Sequence, residues 1–391
     1  MTSRVKLLLL IGVFGLACRQ PGGIASPPPP QSPPPPPPPS PTAVIGGPYN
    51  SATGTVDFDG SASMDPGGLT LTYSWNFGDS TKGSGARPSH TYPNDGTFTV
   101  SLVVTNSKSI SSAPATTTAA VARGVLFVGA GNIASCGMTK DEATATLINA
   151  LPTAHVFTTG DNAFPNGSDS AYTNCYAPSW GRFLDRTRPV LGNHDYDRGN
   201  ANGAFHYFGA QLGTPGLGYY SYDIGAWHII VLNDHGSDSL FLDPATPQGQ
   251  WLTADLAAHT NLCTLAMWHV PLFNSSNVPG WTTSPQHKPI WDTLYPAGVD
   301  VVINGQQHNY ERFKPMNPGG DVDTARGIRE FNVGTGGESV EDFTVSIHPN
   351  SETRAAVFGV LQLTLKATGY DWKFLPIPGS NYSDSGSGTC H

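Results

Sequence analysis

The sequence has few positive charges and no cluster of them. Its 391 residues include 20 lysines and arginines against 29 aspartates and glutamates, so the formal net charge is −9. Nucleic acids and anionic membrane surfaces are bound through clustered positive charge. The composition therefore excludes nucleic acid as a predicted partner. It allows membrane contact only through an anchor at the N-terminus.

The sequence also lacks a Cys-x-x-Cys pair among its five cysteines. Zinc sites and redox motifs commonly use that spacing, so neither is predicted. Apart from Cys18, the cysteines are Cys136, Cys175, Cys263 and Cys390. Their even number in an exported chain predicts two disulfides, and all three pairings stay open.

The apolar run near the N-terminus is too short to span a bilayer. Residues 7–17 are apolar and follow Arg4 and Lys6, which is typical of a secretory signal peptide over residues 1–18. Two endings are open: cleavage before Cys18 that releases a secreted protein, or lipidation of Cys18 that makes a cell-envelope lipoprotein. Both endings predict an exported protein.

Glycine and proline are abundant instead. The 45 glycines and 35 prolines make up about a fifth of the chain, well above the average usage of roughly 12%. This excess argues against a helical bundle. Many of the prolines fall in residues 19–42, which we predict to form a polyproline stalk or linker.

Residues 43–122 are predicted to form a small β-sandwich, because short runs with a period of two alternate there with turn residues. The stretches Tyr73–Asp79 and His90–Val100 resemble the polycystic-kidney-disease (PKD) domain family. The resemblance implies an immunoglobulin-like module without catalytic chemistry, with contacts to the cell envelope, a polysaccharide or a protein. Trp75 and Phe77 are predicted core residues, and His90 a structural turn residue.

Residues 124–391 contain apolar runs that each end at polar residues. These residues are Asn132, Asp161, Asn193 with His194 and Asp195, His269, and Gln306 with His308. Helices are predicted between some of the runs, after a capping box at 139–142 and after Thr246-Pro247. In such α/β folds, ligands bind beyond the carboxyl ends of the strands.

The residue types at these strand ends suit a pair of divalent metal ions. Two such ions clamp a phosphoryl group and activate a water molecule. A carboxylate can bridge both ions, as predicted for Asp161, while imidazoles and amide oxygens fill the other positions. Those positions suit Asn193, His269 and His308.

The residues after Asn193 suit proton transfer. His194 is predicted to protonate the leaving alkoxide, and Asp195 to orient that imidazole.

The stretches Gly160–Asn162, Gly192–Asp195, Trp268–Phe273 and Gly305–Arg312 resemble the calcineurin-like metallophosphoesterases. Within that family they are similar to the exported bacterial relatives of purple acid phosphatases. The resemblance implies an α/β two-sheet sandwich that hydrolyses phosphate esters with two metal ions, which would be Mn, Zn, Fe or Ca. It assigns one ion to position 132, Asp161 and His308, and the other to Asp161, Asn193, His269 and position 306.

Three positions depart from the family pattern. Asn132 stands where an aspartate is usual, Gln306 replaces a histidine, and Phe164 replaces the tyrosine of the purple enzymes. The loss of that phenolate argues against a purple Fe(III) centre. The first two changes predict a weakened metal site, and they leave open a catalytically impaired protein that acts as a surface-binding or adhesion module.

The remaining conspicuous residues are predicted to be structural or exposed. Arg312 is expected to pair with Glu311 or with another carboxylate. The histidines without a surrounding motif are His155, His228, His235, His259 and His287.

Overall fold

The computed structural model describes residues 38–197, 199–235, 243–276, 279–280, 282–342 and 345–391. The predicted signal peptide, the lipidation site Cys18 and most of the stalk lie outside these residues. Within the described ranges, no helix has the length and apolarity that a membrane crossing requires.

The first domain is a β-sandwich, as predicted. Its strands are β1 (Tyr49–Ser51), β2 (Thr55–Asp57), β3 (Leu71–Asn76), β4 (Lys82–Ser84), β5 (Ser89–Thr91), β6 (Gly96–Asn106) and β7 (Ala115–Val121). One sheet has the order β1-β7-β6-β3-β4, and β2 pairs with β5. Trp75 and Phe77 lie in the core. His90 lies in strand β5 rather than in a turn, and its ring stacks on Phe77.

The second domain alternates strands and helices. Its strands are β8 (Val125–Ala130), β9 (Ala134–Ser135), β10 (His155–Thr158), β11 (Ala163–Phe164), β12 (Thr187–Arg188), β13 (Tyr220–Ile224), β14 (Trp227–Val231), β15 (Cys263–Met267), β16 (Val301–Asn304), β17 (Tyr310–Phe313), β18 (Arg329–Val333), β19 (Ser351–Ala355), β20 (Gly359–Lys366), β21 (Gly369–Pro376) and β22 (Asp384–Thr389). Its helices are α1 (Lys140–Asn149), α2 (Asp169–Ala171), α3 (Asn193–Tyr196), α4 (Asn202–Phe208), α5 (Pro247–Ala258) and α6 (Lys288–Leu294).

Two mixed sheets form the body of this domain. One has the order β12-β10-β8-β20-β21-β22, and the other has the order β13-β14-β15-β16-β18-β17-β19. Strands β8, β10 and β12 run parallel in the first sheet, and β14, β15, β16 and β18 run parallel in the second. Within each sheet, the carboxyl ends of these strands therefore lie at one edge.

The central strands are buried on both faces, which explains their continuous apolar sequence. In β14 and the residue after it, Ile229 and Val231 join the core between the sheets, while Ile230 and Leu232 join a second core. Helix α6 contributes to that second core through Ile290 and Trp291. This two-sheet sandwich confirms the predicted fold class.

The two predicted helix starts have different outcomes. Helix α5 begins at Pro247, and the Thr246 hydroxyl accepts a hydrogen bond from the Gly249 amide at 3.1 Å, as predicted. Helix α1 begins after Thr139, but the predicted capping box is wrong. Thr139 has φ −131° and ψ 2°, which is not the extended conformation that turns a capping hydroxyl toward the helix amides.

The cysteines form the two predicted disulfides, and the structure resolves their pairing as Cys136–Cys175 and Cys263–Cys390. Arg312 pairs with another carboxylate rather than with Glu311, since its Nε lies 2.8 Å from Asp384 Oδ2.

Candidate metal centre

Three of the predicted ligands stand at strand ends in a backbone conformation that most side chains avoid. Asn132 follows β8 with φ 54°, Asp161 follows β10 with φ 53°, and Gln306 follows β16 with φ 59°. Left-handed backbone at residues other than glycine is uncommon and tends to cluster at functional sites. The strand ends therefore carry strain where the sequence places its ligands.

Asp161 and His269 form the buried core of the site. Asp161 Oδ2 lies 3.3 Å from His269 Nε2, and both side chains are almost completely inaccessible. His269 Nδ1 donates a hydrogen bond of 2.6 Å to the Thr159 carbonyl. That bond fixes the ring and aims Nε2 at Asp161, which is how an outer partner orients a ligating histidine.

Asp161 and His269 each shift the pKa of the other away from its ordinary value. Burial acts to raise the pKa of Asp161, but the neighbouring His269 outweighs it, and the pKa lies below its ordinary value. Burial likewise acts to lower the pKa of His269, but the Asp161 charge outweighs it and raises that pKa to about 9. Each shift favours the charged form of its residue.

Two glycines allow the strand ends to approach this pair. A Cβ atom on Gly160, whose φ is 91°, would lie 2.4 Å from His269 Nδ1. A Cβ on Gly192 would lie 2.3 Å from Asp161 Oδ1. Both distances are shorter than any real Cβ contact. Only glycine therefore fits at these two positions without moving the site.

Helix α3 places Asn193 and His194 next to Asp161. The His194 amide donates a 2.8 Å hydrogen bond to Asp161 Oδ1. The His194 ring is about one-third exposed, and its Nδ1 lies 2.8 Å from the Pro165 carbonyl and 2.9 Å from Asp197 Oδ2. Nδ1 is therefore occupied, and Nε2 is the nitrogen that can face a substrate.

The structure corrects the predicted role of Asp195. Its carboxylate accepts hydrogen bonds from Tyr172 Oη at 2.7 Å, the Gly192 amide at 2.9 Å and Asn162 Nδ2 at 3.0 Å. Burial, followed by the Asp161 charge, raises its pKa. Asp195 therefore positions the turn that carries Asn193, and Asp197 contacts the His194 ring instead.

Asn132 and His308 lie on another side of Asp161. The backbone N–H of Asn132 donates a hydrogen bond of 3.0 Å to the Gly160 carbonyl. His308 Nδ1 lies 2.5 Å from Ser339 Oγ and 3.2 Å from Glu338 Oε2, so Nε2 remains for a ligand. The Phe164 ring lies 6.1 Å from the His308 ring and 4.5 Å from the His194 ring, measured between ring centroids.

Several ligand atoms of these residues are buried without a hydrogen bond. They are Asn132 Oδ1 and Asn193 Oδ1, together with Asp161 Oδ2 and His269 Nε2, which face only each other at 3.3 Å. Buried polar atoms are nearly always satisfied, so a group of orphaned oxygens and an imidazole nitrogen requires an explanation. Oxygen and imidazole donors are what Mn, Zn and Fe take, and the site therefore fits a divalent metal ion.

The sequence reasoning missed four residues around the centre. Glu338 and Ser339 contact His308, as described above. Asp234 accepts a hydrogen bond from the Val270 amide at 2.8 Å, and His235 lies beside it. A signal for Asp234 and His235 was present, because they follow the buried strand β14 just as the predicted ligands follow their strands.

Comparison with known proteins agrees with this geometry. Residues 38–121 match the PKD domain model, and residues 139–310 match the calcineurin-like phosphoesterase model. Residues 139–310 are thus similar to the calcineurin-like phosphoesterases. The matched phosphoesterase segment contains Asp161, Asn193, His269, Gln306 and His308, whereas Asn132 precedes it.

Purple acid phosphatases are among the proteins similar to this chain. A probable purple acid phosphatase 20 of Arabidopsis thaliana is 30% identical over 233 residues, which is 53% of this chain and 53% of that protein. The chain spans about half the length of such curated relatives, namely 53% of this one and 52% of purple acid phosphatase 22 of the same plant.

Two solved structures share the fold. The purple acid phosphatase PPD1 from yellow lupin seeds has a TM-score of 0.57 at 16% identity, covering 90% of this chain and 74% of that one. GAP50, the anchor in the inner membrane complex of Plasmodium, has a TM-score of 0.52 at 14% identity, covering 68% and 89%. At these identities the similarity shows the fold alone.

Proposed function

We propose that this protein hydrolyses phosphate esters in a metal-dependent reaction. The observation that carries the proposal is the convergence of Asp161, Asn193 and His269 at strand ends with buried ligand atoms that make no hydrogen bond. The family match and the purple acid phosphatase relatives support the same reaction class.

The residues divide into two proposed ion positions that share Asp161. The first position is formed by Asn132, Asp161 and His308. The second is formed by Asp161, Asn193, His269 and Gln306. Two divalent ions, when bound, polarise the phosphoryl oxygens and lower the pKa of a water molecule. The ions are Mn, Zn, Fe or Ca.

The remaining chemistry belongs to the side chains beside the ions. His194 directs its Nδ1–H at Pro165 and Asp197, so it would protonate the leaving oxygen from Nε2 when both ring nitrogens carry a proton. Phe164 packs its ring against His194 and places no phenolate near His308. We therefore propose a centre without the iron–phenolate chemistry of a purple enzyme.

We also propose that the protein acts outside the cytoplasm, with the PKD domain contacting the cell envelope, a polysaccharide or a protein. Two disulfides in the described residues support this location, since disulfides persist in oxidising compartments. The signal-peptide pattern at the N-terminus supports it independently.

A second candidate function is a binding protein with an impaired centre. Asn132 and Gln306 favour it, because both replace stronger metal ligands of the family with neutral amides. The fold of GAP50, described as an anchor, shows that this architecture also occurs in a protein with that role.

One experiment separates the two candidates. The purified protein is analysed for bound metal and assayed with an aryl phosphate in the presence of Mn, Zn, Fe, Ca or Mg. We expect bound metal and turnover with at least one ion. If no ion binds and none supports turnover, the enzyme proposal fails and the binding protein remains.

A further inference from the structure

His235 lies at the edge of the candidate metal centre, although no motif marks it. Strand β14 ends at Val231, and the chain continues past the sheet edge to His235. The centroid of the His235 ring lies 5.6 Å from that of His269 and 6.5 Å from that of Tyr196. His269 is a proposed ligand, and Tyr196 belongs to the helix that carries His194. The ring therefore stands between the two parts of the site.

A buried carboxylate fixes this imidazole. Asp234, whose side chain is 3% exposed, lies 2.9 Å through Oδ1 from His235 Nδ1. Its Oδ2 accepts from the Val270 amide at 2.8 Å, next to His269. The same carboxylate thus holds both the His235 ring and the loop that presents a metal ligand.

The same carboxylate also contacts a second imidazole, and the two have different surroundings. His287 Nε2 lies 3.3 Å from Asp234 Oδ2, and its side chain is 5% exposed. The His235 side chain is 20% exposed. His287 satisfies the carboxylate from inside the protein, whereas His235 reaches solvent beside the centre with Nδ1 occupied and Nε2 available.

The geometry favours contact with a substrate over coordination of an ion. Among the described residues, two clusters of His, Cys, Asp or Glu have three ligand atoms within 4.8 Å of one another: one around His228 and one around Asp300. Neither contains His235, so its ring is not placed to share an ion with Asp161 and His269. The partly exposed ring is instead accessible to a substrate bound at the centre.

We propose that His235, held by Asp234 through Nδ1–H and protonated on Nε2 as well, donates a hydrogen bond from Nε2 to a phosphoryl oxygen of the substrate on the His269 side of the centre. The inference rests on the proposed function and adds a substrate-binding residue to it. His194 and His235 then contact the ester from different parts of the site. Asp234 is a positioning residue, since it acts through His235.

Binding of inorganic phosphate to the metal-loaded protein tests this inference. Isothermal titration is performed on the wild type, His235→Ala and His235→Asn, with His206→Ala as the matched control. His206 also pairs with an aspartate, Asp169, but both side chains are 68% exposed. Bound metal is measured in every sample.

We expect His235→Ala to keep its metal and to raise the Kd for phosphate about tenfold or more, because a hydrogen bond to a charged group is lost. His235→Asn should recover part of the affinity, because its amide can still donate. In turnover of an aryl phosphate, KM should rise more than kcat falls. His206→Ala should match the wild type in each measurement.

Two outcomes overturn the inference in different ways. If the wild type binds phosphate and His235→Ala binds it equally well with its metal retained, the role of His235 is refuted while the proposed function stands. If the wild type holds metal but neither binds phosphate nor hydrolyses the ester, both proposals fail.

Discussion

The two proposed ion positions share Asp161 but differ in what the substitutions removed from them. The first position has an amide, Asn132, where the resemblance to calcineurin-like phosphoesterases implies a carboxylate, so it lacks a negative charge. The second position has an amide, Gln306, where the same resemblance implies an imidazole, so it lacks a neutral donor. A charge interacts with a divalent ion far more strongly than a dipole does. We infer that the first position is the weaker one.

The packing around the two positions points the same way. The second position contains His269, which is completely buried and fixed by Thr159. The first relies on His308, which keeps 14% of its side chain exposed. The five predictions below test this difference, from the largest expected effect to the smallest.

Replacing His269 with alanine should have the largest effect. The substitution removes the imidazole of the second position and leaves Asp161 without its partner. Removal of an outer partner of a ligand typically costs 10–100-fold, so loss of the ligand itself should exceed about 100-fold in metal affinity. Elemental analysis and an aryl phosphate assay measure the result. Retention of both ions and of activity would contradict the assigned ligand set.

Asn132→Asp should strengthen the first position by at least about tenfold, because it restores a charge at short distance from the ion. Competition with a chelating indicator measures the affinity of each ion separately. Asn309, a buried asparagine outside the predicted ligand set, provides the control Asn309→Asp. An unchanged affinity at the first position would show that the missing charge is not what limits it.

Gln306→His should strengthen the second position, but by less than Asn132→Asp strengthens the first. The change restores a donor without adding a charge, and Asp161 and His269 already supply two ligands there. The same indicator competition checks it. A larger gain from Gln306→His than from Asn132→Asp would reverse the comparison.

Asp195→Asn should disturb the second position more than the first. Tyr172, Gly192 and Asn162 all donate hydrogen bonds to this carboxylate. The side-chain nitrogen of the new asparagine would therefore face a donor and lose a hydrogen bond. We expect a loss of about 1–3 kcal/mol in the free energy of unfolding, measured with urea. Occupancy of the second position should fall with it. Equal loss at both positions would assign Asp195 to general stability.

His228→Asn should leave both ion positions unchanged and alter only the pH dependence of stability. Burial acts to lower the pKa of His228, but its hydrogen bonds to Asp255 and Asp223 outweigh that and raise the pKa. A raised pKa contributes stability below the unfolded value of about 6.5 and loses it as pH rises through the folded value. The stability difference between wild type and variant should therefore be larger at pH 6 than at pH 9. Thermal unfolding at both pH values measures it, and a difference that grows toward pH 9 would contradict the assignment.

Much of the centre could be predicted because it follows from strand order. The apolar runs before Asn132, Asp161 and His269 had to be buried strands, and parallel strands bring their carboxyl ends to one edge. The two-sheet fold and the absence of a phenolate at Phe164 were predicted from the resemblance to the calcineurin-like phosphoesterases instead. What the sequence could supply was the identity of the residues at each strand end.

The direction of individual side chains could not be predicted. His194 and Asp195 are neighbours in sequence, but successive helical residues do not face each other, whereas Asp197 lies three positions on and does. Asp195 therefore contacts Tyr172 instead of the imidazole. His235 was missed because its strand end matches no family motif, although the structure places it beside His269.

The pairing of the cysteines has a consequence for the order in which the chain can be assembled. Cys136 and Cys175 are separated by 39 residues, and Cys263 and Cys390 by 127. The two loops follow one another without crossing, so a chain that emerges from its N-terminus presents both cysteines of the first bond before it presents Cys263. Strand β15 begins at Cys263 and leads to His269. Its cysteine can form the second disulfide only after Cys390 has been made. Synthesis itself discourages mispairing, and the second half of the metal centre becomes covalently secured only after Gln306 and His308 have been made.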